Sequence, residues 1–258
     1  MRLMKRILSA AAVLALSASL LVGCSSGTAS SVPVSASSAA ESTVSSVEET
    51  ASSAVDENEA AAAQLLNDLT GSYQELWPVI LADEYKQTWL DDCTALVGEE
   101  NAEAAFEKLS SMVTSDVYGE DAVEAYANGG GAYFCGFTND LATLTFDGET
   151  STISGTDKDG NVLFSHTYHY IGMEPVRGLY EFQSDDADSG EFTYFFLAPD
   201  TSAETYHIEF RYGSDAEALS QYDAGEYAYW VASGISTDCD QTMIDNCIEL
   251  FCTENLAG

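Results

Sequence analysis

The chain has 258 residues and carries 43 acidic against eight basic side chains, a formal net charge of −35. Nucleic-acid binding needs Lys and Arg to neutralise phosphates, so this charge excludes nucleic acid as a partner. It also makes anionic lipid surfaces unattractive, so attachment to a membrane requires an anchor of another kind. The same negative field explains solubility at a crowded surface and concentrates divalent cations near the protein.

The N-terminus is typical of a bacterial lipoprotein signal. Three basic residues within the first six precede a largely apolar run over residues 7–22, and the run ends in the tetrapeptide LVGC at 21–24. A short apolar run with this flank predicts a cleaved signal rather than a membrane span. The tetrapeptide resembles the lipobox, so we expect a signal peptide at 1–23 and lipidation of Cys24. Several acyl chains on one residue give stable anchoring, which predicts an extracytoplasmic protein that is lipid-anchored to the cell membrane.

Composition divides the remainder into two parts. Residues 24–58 are mostly Ser, Ala, Val, Thr and Glu, and they include no aromatic residue. Such a segment cannot bury enough apolar surface to offset its ordering entropy, so it predicts a flexible tether. Residues 59–258 number about 200, which is enough for one globular domain with its own core.

Within the globular part, a helical pattern comes first and a β pattern follows. Apolar residues at helical spacing predict helices over 60–69, 77–96, 102–113 and 120–126. After three glycines at 129–131, seven strands are predicted, over 132–137, 142–146, 150–154, 162–171, 178–183, 191–198 and 205–212. A last amphipathic helix covers 240–253. Strands joined by short Asp-Gly and Gly-Asn turns predict an up-and-down antiparallel meander, which closes most naturally into a β-barrel.

Five cysteines follow the lipidation site: Cys93, Cys135, Cys239, Cys247 and Cys252. In an oxidising compartment, structural disulfides are the default expectation. Because five is odd, at least one thiol stays free or pairs between molecules. None of the spacings matches a zinc ribbon or a CxxC redox pair, and the sequence leaves the connectivity open.

Several motifs occur in a characteristic order. LTGSYQELWP at 69–78 is followed by LTFDGETSTISG, FSHTYHYIG, GLYEF, LAPDTSAETYHIEFRYGSDAEAL and EYAYW. This order resembles the ZinT (YodA) family of secreted zinc- and cadmium-binding proteins, and it covers nearly the whole globular part. The resemblance implies a lipocalin-like antiparallel barrel, mainly β with added helices: a helical N-terminal part and a C-terminal helix. A related domain is fused to some zinc-transport lipoproteins, which implies a zinc ABC importer as a partner.

The family's metal ligands are only partly matched. A family histidine three residues before the Ala-Pro pair corresponds here to Phe195. The family's His-Phe-His pattern reads Thr205-Tyr206-His207, so only His207 matches. The resemblance therefore implies a metal site that is either rebuilt from other residues or lost.

Strand alternation suggests how such a site would be rebuilt. His207 and Glu209 are two apart on a predicted strand and share a face, whereas His166 and His169 point to opposite faces unless a β-bulge intervenes. One of these two histidines, with His207, Glu209 and a further Asp or Glu, would make a mixed nitrogen and oxygen site for zinc. The alternative for each histidine is a hydrogen-bonded polar residue on a strand.

Three hypotheses follow. The first is a metal-binding lipoprotein that captures zinc, or cadmium, outside the cell and delivers it to an importer. The second is a lipocalin-like binder of a small organic ligand, and the third is a surface interaction domain that has lost its metal site. The sequence contains no nucleophile elbow, phosphate loop or HExxH motif, so we expect no enzymatic activity.

Overall fold

The computed structural model describes residues 57–257. The predicted signal peptide, the predicted lipidation at Cys24 and most of the predicted tether lie outside these residues. Within them, no helix is both long and apolar enough to cross a membrane.

Eight antiparallel strands close into a barrel in which each strand pairs with its neighbour in chain order. They are β1 (Gly71–Glu75), β2 (Thr143–Asp147), β3 (Thr152–Thr156), β4 (Val162–Met173), β5 (Tyr180–Ser184), β6 (Tyr194–Leu197), β7 (Ile208–Gly213) and β8 (Ala232–Ser236). Pairing of Tyr73 with Ser236 closes β8 onto β1. The predicted up-and-down barrel is therefore confirmed.

Eight α-helices accompany the barrel within the described residues. They are α1 (57–68), α2 (Leu76–Ile80), α3 (Lys86–Val97), α4 (Glu99–Ser111), α5 (Glu120–Ala127), α6 (Ser202–Thr205), α7 (Ala216–Leu219) and α8 (Gln241–Leu256). Five of them precede β2 along the chain, and α8 follows the last strand, as the predicted fold class requires. The N-terminus of α8 is capped by the Asp240 carboxylate, which accepts a hydrogen bond from the Met243 backbone N–H at 2.9 Å.

The predicted helix over 77–96 is wrong in one respect, because the chain breaks it into α2, a 3₁₀ turn at Asp83–Tyr85 and α3. Ala82 is extended, with ψ of 146°. The Trp89 indole N–H donates to the Ile80 carbonyl at 2.7 Å. That bond uses the carbonyl that a continuing helix would offer to residue 84, so a buried side chain stabilises the break.

The predicted strand over 132–137 is not part of the barrel. Its carbonyls at Phe134 and Cys135 accept hydrogen bonds from the backbone of Val231 and Ser233, and Phe134 forms a parallel bridge with Trp230. The segment is therefore hydrogen-bonded to the stretch around β8 without being a member of the closed sheet.

Other strands also differ from the prediction. The barrel takes its missing strands from β1 and β8, each five residues long. The strand predicted from Thr205 begins only at Ile208, because residues 202–205 form α6 and Tyr206 adopts a left-handed conformation with φ of 67°.

Aromatic side chains fill the barrel interior. Five almost fully buried rings belong to one core cluster: Phe146, Phe182, Phe195, Phe210 and Tyr212. The Phe195 ring lies 5.4 Å from that of Tyr212 and 6.5 Å from that of Phe210, centroid to centroid. An eight-stranded barrel has an interior just wide enough for side chains to fill, and here rings fill it.

A second core cluster joins the helices to the outside of the barrel. It includes Trp77, Trp89 and the cysteines of α3 and α8, with Phe251 packed against it. The Trp77 and Phe251 rings meet edge to face, with centroids 4.8 Å apart. Burial of these rings holds α2, α3 and α8 together.

Truncation of Phe195 tests the packed interior. We expect Phe195→Ala to lower the free energy of unfolding by about 3–5 kcal/mol, because it leaves a cavity among rings that cannot collapse into it. The matched control is Val162→Ala on β4, whose side chain is 69% exposed; it should change stability by less than about 0.5 kcal/mol. Urea denaturation monitored by circular dichroism measures both, and equal effects would contradict a filled interior.

Candidate metal site

The candidate site lies on the outer face of β7. Ile208, Phe210 and Tyr212 belong to the barrel core cluster. Since side chains alternate along a strand, Glu209 lies on the opposite face, and His207 stands directly before the strand. Cys247 of α8 approaches the same histidine. The site is thus formed between the barrel wall and the C-terminal helix.

The His207 ring is fixed on both of its nitrogens. Nδ1 lies 2.8 Å from the carbonyl oxygen of Thr205, to which it donates a hydrogen bond. Nε2 faces Glu209, with 3.9 Å between Nε2 and Oε1. The left-handed turn at Tyr206 brings the Thr205 carbonyl back to the ring. This leaves Nε2 as the nitrogen available to a cation, in the manner of metal-binding histidines that donate their other N–H to a carbonyl.

The spacing of His207 and Glu209 suits a shared ion. Two ligands on one tetrahedral zinc ion, with bonds near 2.0–2.2 Å, lie about 3.4 Å apart. The observed separation of 3.9 Å is within a small side-chain rotation of that value. The Glu209 side chain is 41% exposed, so a cation in solution can reach it.

Cys247 lies on the other side of the ring. Its Sγ is 3.8 Å from Nδ1, the nitrogen already bonded to Thr205. A single ion cannot bind between Nε2 and Glu209 and also contact this sulfur, because the two ring nitrogens point in different directions. Cys247 therefore packs against the histidine and is not a member of the same ligand set.

His207 and Glu209 each shift the pKa of the other toward the charged form. Burial acts to lower the pKa of His207, but hydrogen bonding to Cys247 and Glu209 outweighs it and raises the pKa well above its usual value. Partial desolvation acts to raise the pKa of Glu209, but the pairing with His207, aided by the charge of Arg177, holds that pKa below its usual value. A metal ion at Nε2 would displace a proton from the ring.

Two further carboxylates lie in the field of this pair. Partial desolvation raises the pKa of Asp200; Glu204 and Glu209 raise it further, whereas His207 lowers it. Partial desolvation also raises the pKa of Glu254 on α8, with His207 lowering it and the charges of Glu209 and Asp200 raising it. One imidazole thus stands among carboxylates that repel one another, an arrangement that a divalent cation would relieve.

The other two histidines each have a carboxylate of their own. His166 Nδ1 lies 2.7 Å from Asp186, and His169 Nδ1 lies 2.6 Å from Asp185. Along β4, Phe164 and Tyr168 are buried and His166 lies between them, whereas His169 is exposed, as alternation predicts. The two histidines therefore point to opposite faces of the sheet.

His166 and His169 do not join His207. Strands β5 and β6 lie between β4 and β7 in the barrel. Three ordinary strand spacings separate β4 from β7, a distance of about 14 Å. Within residues 57–257, no three His, Cys, Asp or Glu side chains converge as a preformed set of metal ligands. The structure thus brings together His207 and Glu209 of the four candidate ligands. The charges of this pair also act on Asp200 and Glu254, which the sequence did not single out.

Comparisons with known proteins give a likeness in structure only. No protein-family model matches the chain, and no curated protein matches it significantly. It is similar to the crystal structure of the Zn(II)-bound ZinT-like domain of Streptococcus pneumoniae AdcA, with 15% identity and a TM-score of 0.45, over 72% of this chain and 89% of that one. It is also similar to Zn(II)-bound AdcA from the same organism, with 15% identity and a TM-score of 0.42, over 70% of this chain and 34% of that one. The first of these structures is described as a ZinT-like domain, and the order of motifs in this chain resembles the same family. At this identity and TM-score, a metal site in this chain has to be argued from its own side chains.

Opposite changes at His207 and Glu209 test the electrostatics of the site. Removing the negative charge in Glu209→Gln should lower the pKa of Asp200 and of Glu254, whereas removing the imidazolium in His207→Ala should raise both. Side-chain carboxyl ¹³C chemical shifts followed through a pH titration, without metal, measure these changes. His169→Ala is the control and should leave both values unaltered. Shifts in the same direction for the two site variants would show that these groups do not share one field.

Proposed function

We propose that this protein is an extracytoplasmic lipoprotein that binds zinc, or cadmium, and delivers it to a zinc ABC importer. The observation that carries the proposal is the His207 ring, whose Nδ1 is held by the Thr205 carbonyl and whose Nε2 faces Glu209. A histidine fixed in this way, next to a half-exposed carboxylate, is a metal ligand already oriented for binding.

In this proposal the metal is transported and not retained, and the ligands available to it suit transport. His207 and Glu209 supply one nitrogen and one oxygen in place, while Asp200 and Glu254 supply carboxylates in the same field. An ion held by two oriented ligands, with the rest recruited from neighbouring carboxylates and water, exchanges more readily than one in a closed four-ligand site. Ready exchange is what a protein that captures and passes on a metal requires.

The charge of the whole chain supports capture. The net charge of −35 raises the local concentration of divalent cations around the protein. The positive charge of Arg177 opposes the attraction of cations to the site. It acts on Glu209, because it lowers the pKa of that carboxyl. A single cation at the edge of the site would weaken metal binding and favour release.

A surface interaction domain is the second candidate function. It is favoured by the dispersal of the histidines, since His166 and His169 are each paired with a separate aspartate away from His207. A binder of an organic ligand within the barrel is disfavoured, because aromatic rings occupy the interior. Zinc titration separates the two remaining candidates.

Loss of either oriented ligand should weaken zinc binding. We expect His207→Ala and Glu209→Gln each to lower zinc affinity roughly 10-fold or more, because each removes one of the two ligands in place. Isothermal titration calorimetry on protein freed of metal by chelation measures the affinity, with cadmium titrated in parallel. The matched control is His169→Ala, which removes an exposed histidine that also has a carboxylate partner; it should bind zinc as the parent protein does.

The outcomes are distinct. If the parent protein binds zinc and the two site variants bind it equally well, the ligands are elsewhere and the proposed site is wrong. If the parent protein binds neither zinc nor cadmium at millimolar concentration, the capture function is wrong and the interaction domain is preferred.

Lipidation at Cys24 should fix the protein to the membrane. Replacing the cysteine in Cys24→Ser removes the only side chain of the LVGC motif that can accept a lipid, so the exported chain should lose its anchor. Detergent phase partitioning of cell extracts should move the protein from the detergent phase to the aqueous phase. The control is Ser25→Ala, which should stay in the detergent phase, and retention of Cys24→Ser there would contradict the anchor.

A further inference from the structure

Two cysteines from different helices meet in the helical core. Cys93 lies on α3 and Cys252 on α8, both are 0% exposed, and their Sγ atoms are 3.9 Å apart. We propose that Cys93 and Cys252 form a disulfide in the exported protein, cross-linking α3 to α8. The proposal depends on export to an oxidising compartment, and it is independent of the metal site.

All five cysteines of the described part are free thiols in the structure, so the disulfides expected from the sequence are not formed there. Cys93 and Cys252 are the pair whose sulfurs are in contact. Cys247 lies against His207, and Cys135 lies against Ser233 and Trp77. Cys239 is partly exposed in the turn before α8. The five cysteines therefore comprise one pair in contact and three cysteines with other neighbours.

The geometry requires only a small closure. A disulfide has a sulfur–sulfur bond near 2.05 Å, so the two atoms must approach by about 1.9 Å. Both sulfurs end short side chains on helices that pack against each other in one core cluster, so χ1 rotation and a slight shift of α8 bring them together. The two residues are 159 positions apart along the chain. A bond between them closes a long loop and restricts the unfolded chain strongly.

The oxidation balances with an external disulfide as the oxidant. The thiolate of one cysteine attacks a disulfide of an extracytoplasmic thiol oxidoreductase, forming a mixed disulfide and releasing one oxidoreductase thiolate. The second cysteine thiolate then attacks the protein sulfur of that mixed disulfide. This forms the Cys93–Cys252 bond and releases the second oxidoreductase thiolate. Two electrons pass to the oxidoreductase, and the two thiol protons pass to solvent.

Burial of the two sulfurs determines when the disulfide can form. Both sulfurs are 0% exposed, so an oxidant cannot reach them in the folded core, and burial raises the pKa of the Cys93 thiol. The bond therefore forms while α3 and α8 are docking, when the sulfurs are still accessible. Once formed, it is shielded from reductants by the same core.

Peptide mapping of the exported wild-type protein is the decisive experiment. The protein is denatured with an alkylating reagent present, cleaved after glutamate, and analysed by mass spectrometry with and without reduction. Cleavage at Glu249 separates Cys252 from Cys247, so peptides 85–99 and 250–254 each carry a single cysteine. We expect these two peptides as one linked species that separates on reduction. Both peptides alkylated as free thiols, or peptide 250–254 linked elsewhere, would overturn the proposal.

A stability comparison supplies the second arm. Wild-type protein reduced in urea and refolded under reducing conditions should melt about 10 °C below the oxidised protein. Cys93→Ala should show no such dependence on reduction, whereas the control Cys135→Ala should keep it. If the reduction-dependent difference persists in Cys93→Ala, another pair carries the cross-link. Zinc titration of the same samples reports on the metal site separately.

Discussion

The filled interior of the barrel is the constraint on which the rest of this structure depends. Rings from neighbouring strands, such as Phe195, Phe210 and Tyr212, occupy the space that a wider barrel would leave for a ligand. Because strand alternation sends every second side chain outward, the polar residues of these strands have to find partners on the outer face. The chemistry of the molecule is therefore placed between the barrel wall and the helices that cover it.

Alternation also explains why His166 and His169, only three residues apart, are separated in space. His166 and His169 point to opposite faces of β4, and each meets one of two adjacent aspartates, Asp186 and Asp185. The two aspartates are adjacent in sequence but bond to different histidines, so the acids are separated together with the histidines. Only His207, beyond two intervening strands, has a carboxylate partner and a cysteine from a helix.

Much of the fold was predictable because its signals are local. The Asp-Gly turn at 147–148 and the alternation along β4 depend on neighbouring residues, and they gave the hairpins and the barrel. The break after Ile80 depends on the distant Trp89 indole, and the short strand β8 contains little apolar alternation of its own. These features are fixed by tertiary contacts, so sequence patterns could not supply them.

The candidate site was also predictable only in part. The spacing of His207 and Glu209 predicted that they lie together, and their side chains are 3.9 Å apart, although His207 stands before the strand. Glu254 belongs to α8, and its pKa responds to the charges of the pair only because that helix packs beside β7.

The seam between β1 and β8 has a consequence for how the molecule folds. Gly234 of β8 pairs with Glu75 of β1 on one side and with Ile208 of β7 on the other. The strands pack closely at this point, because a methyl group added at the Gly234 Cα would lie only 3.1 Å from the Ile208 side chain. Closing this seam joins segments more than 150 residues apart, so it carries a high entropic cost and is expected to be a late, slow step. Since β7, which carries Glu209, pairs with the same strand, closure of the seam also completes the barrel wall on which Glu209 lies.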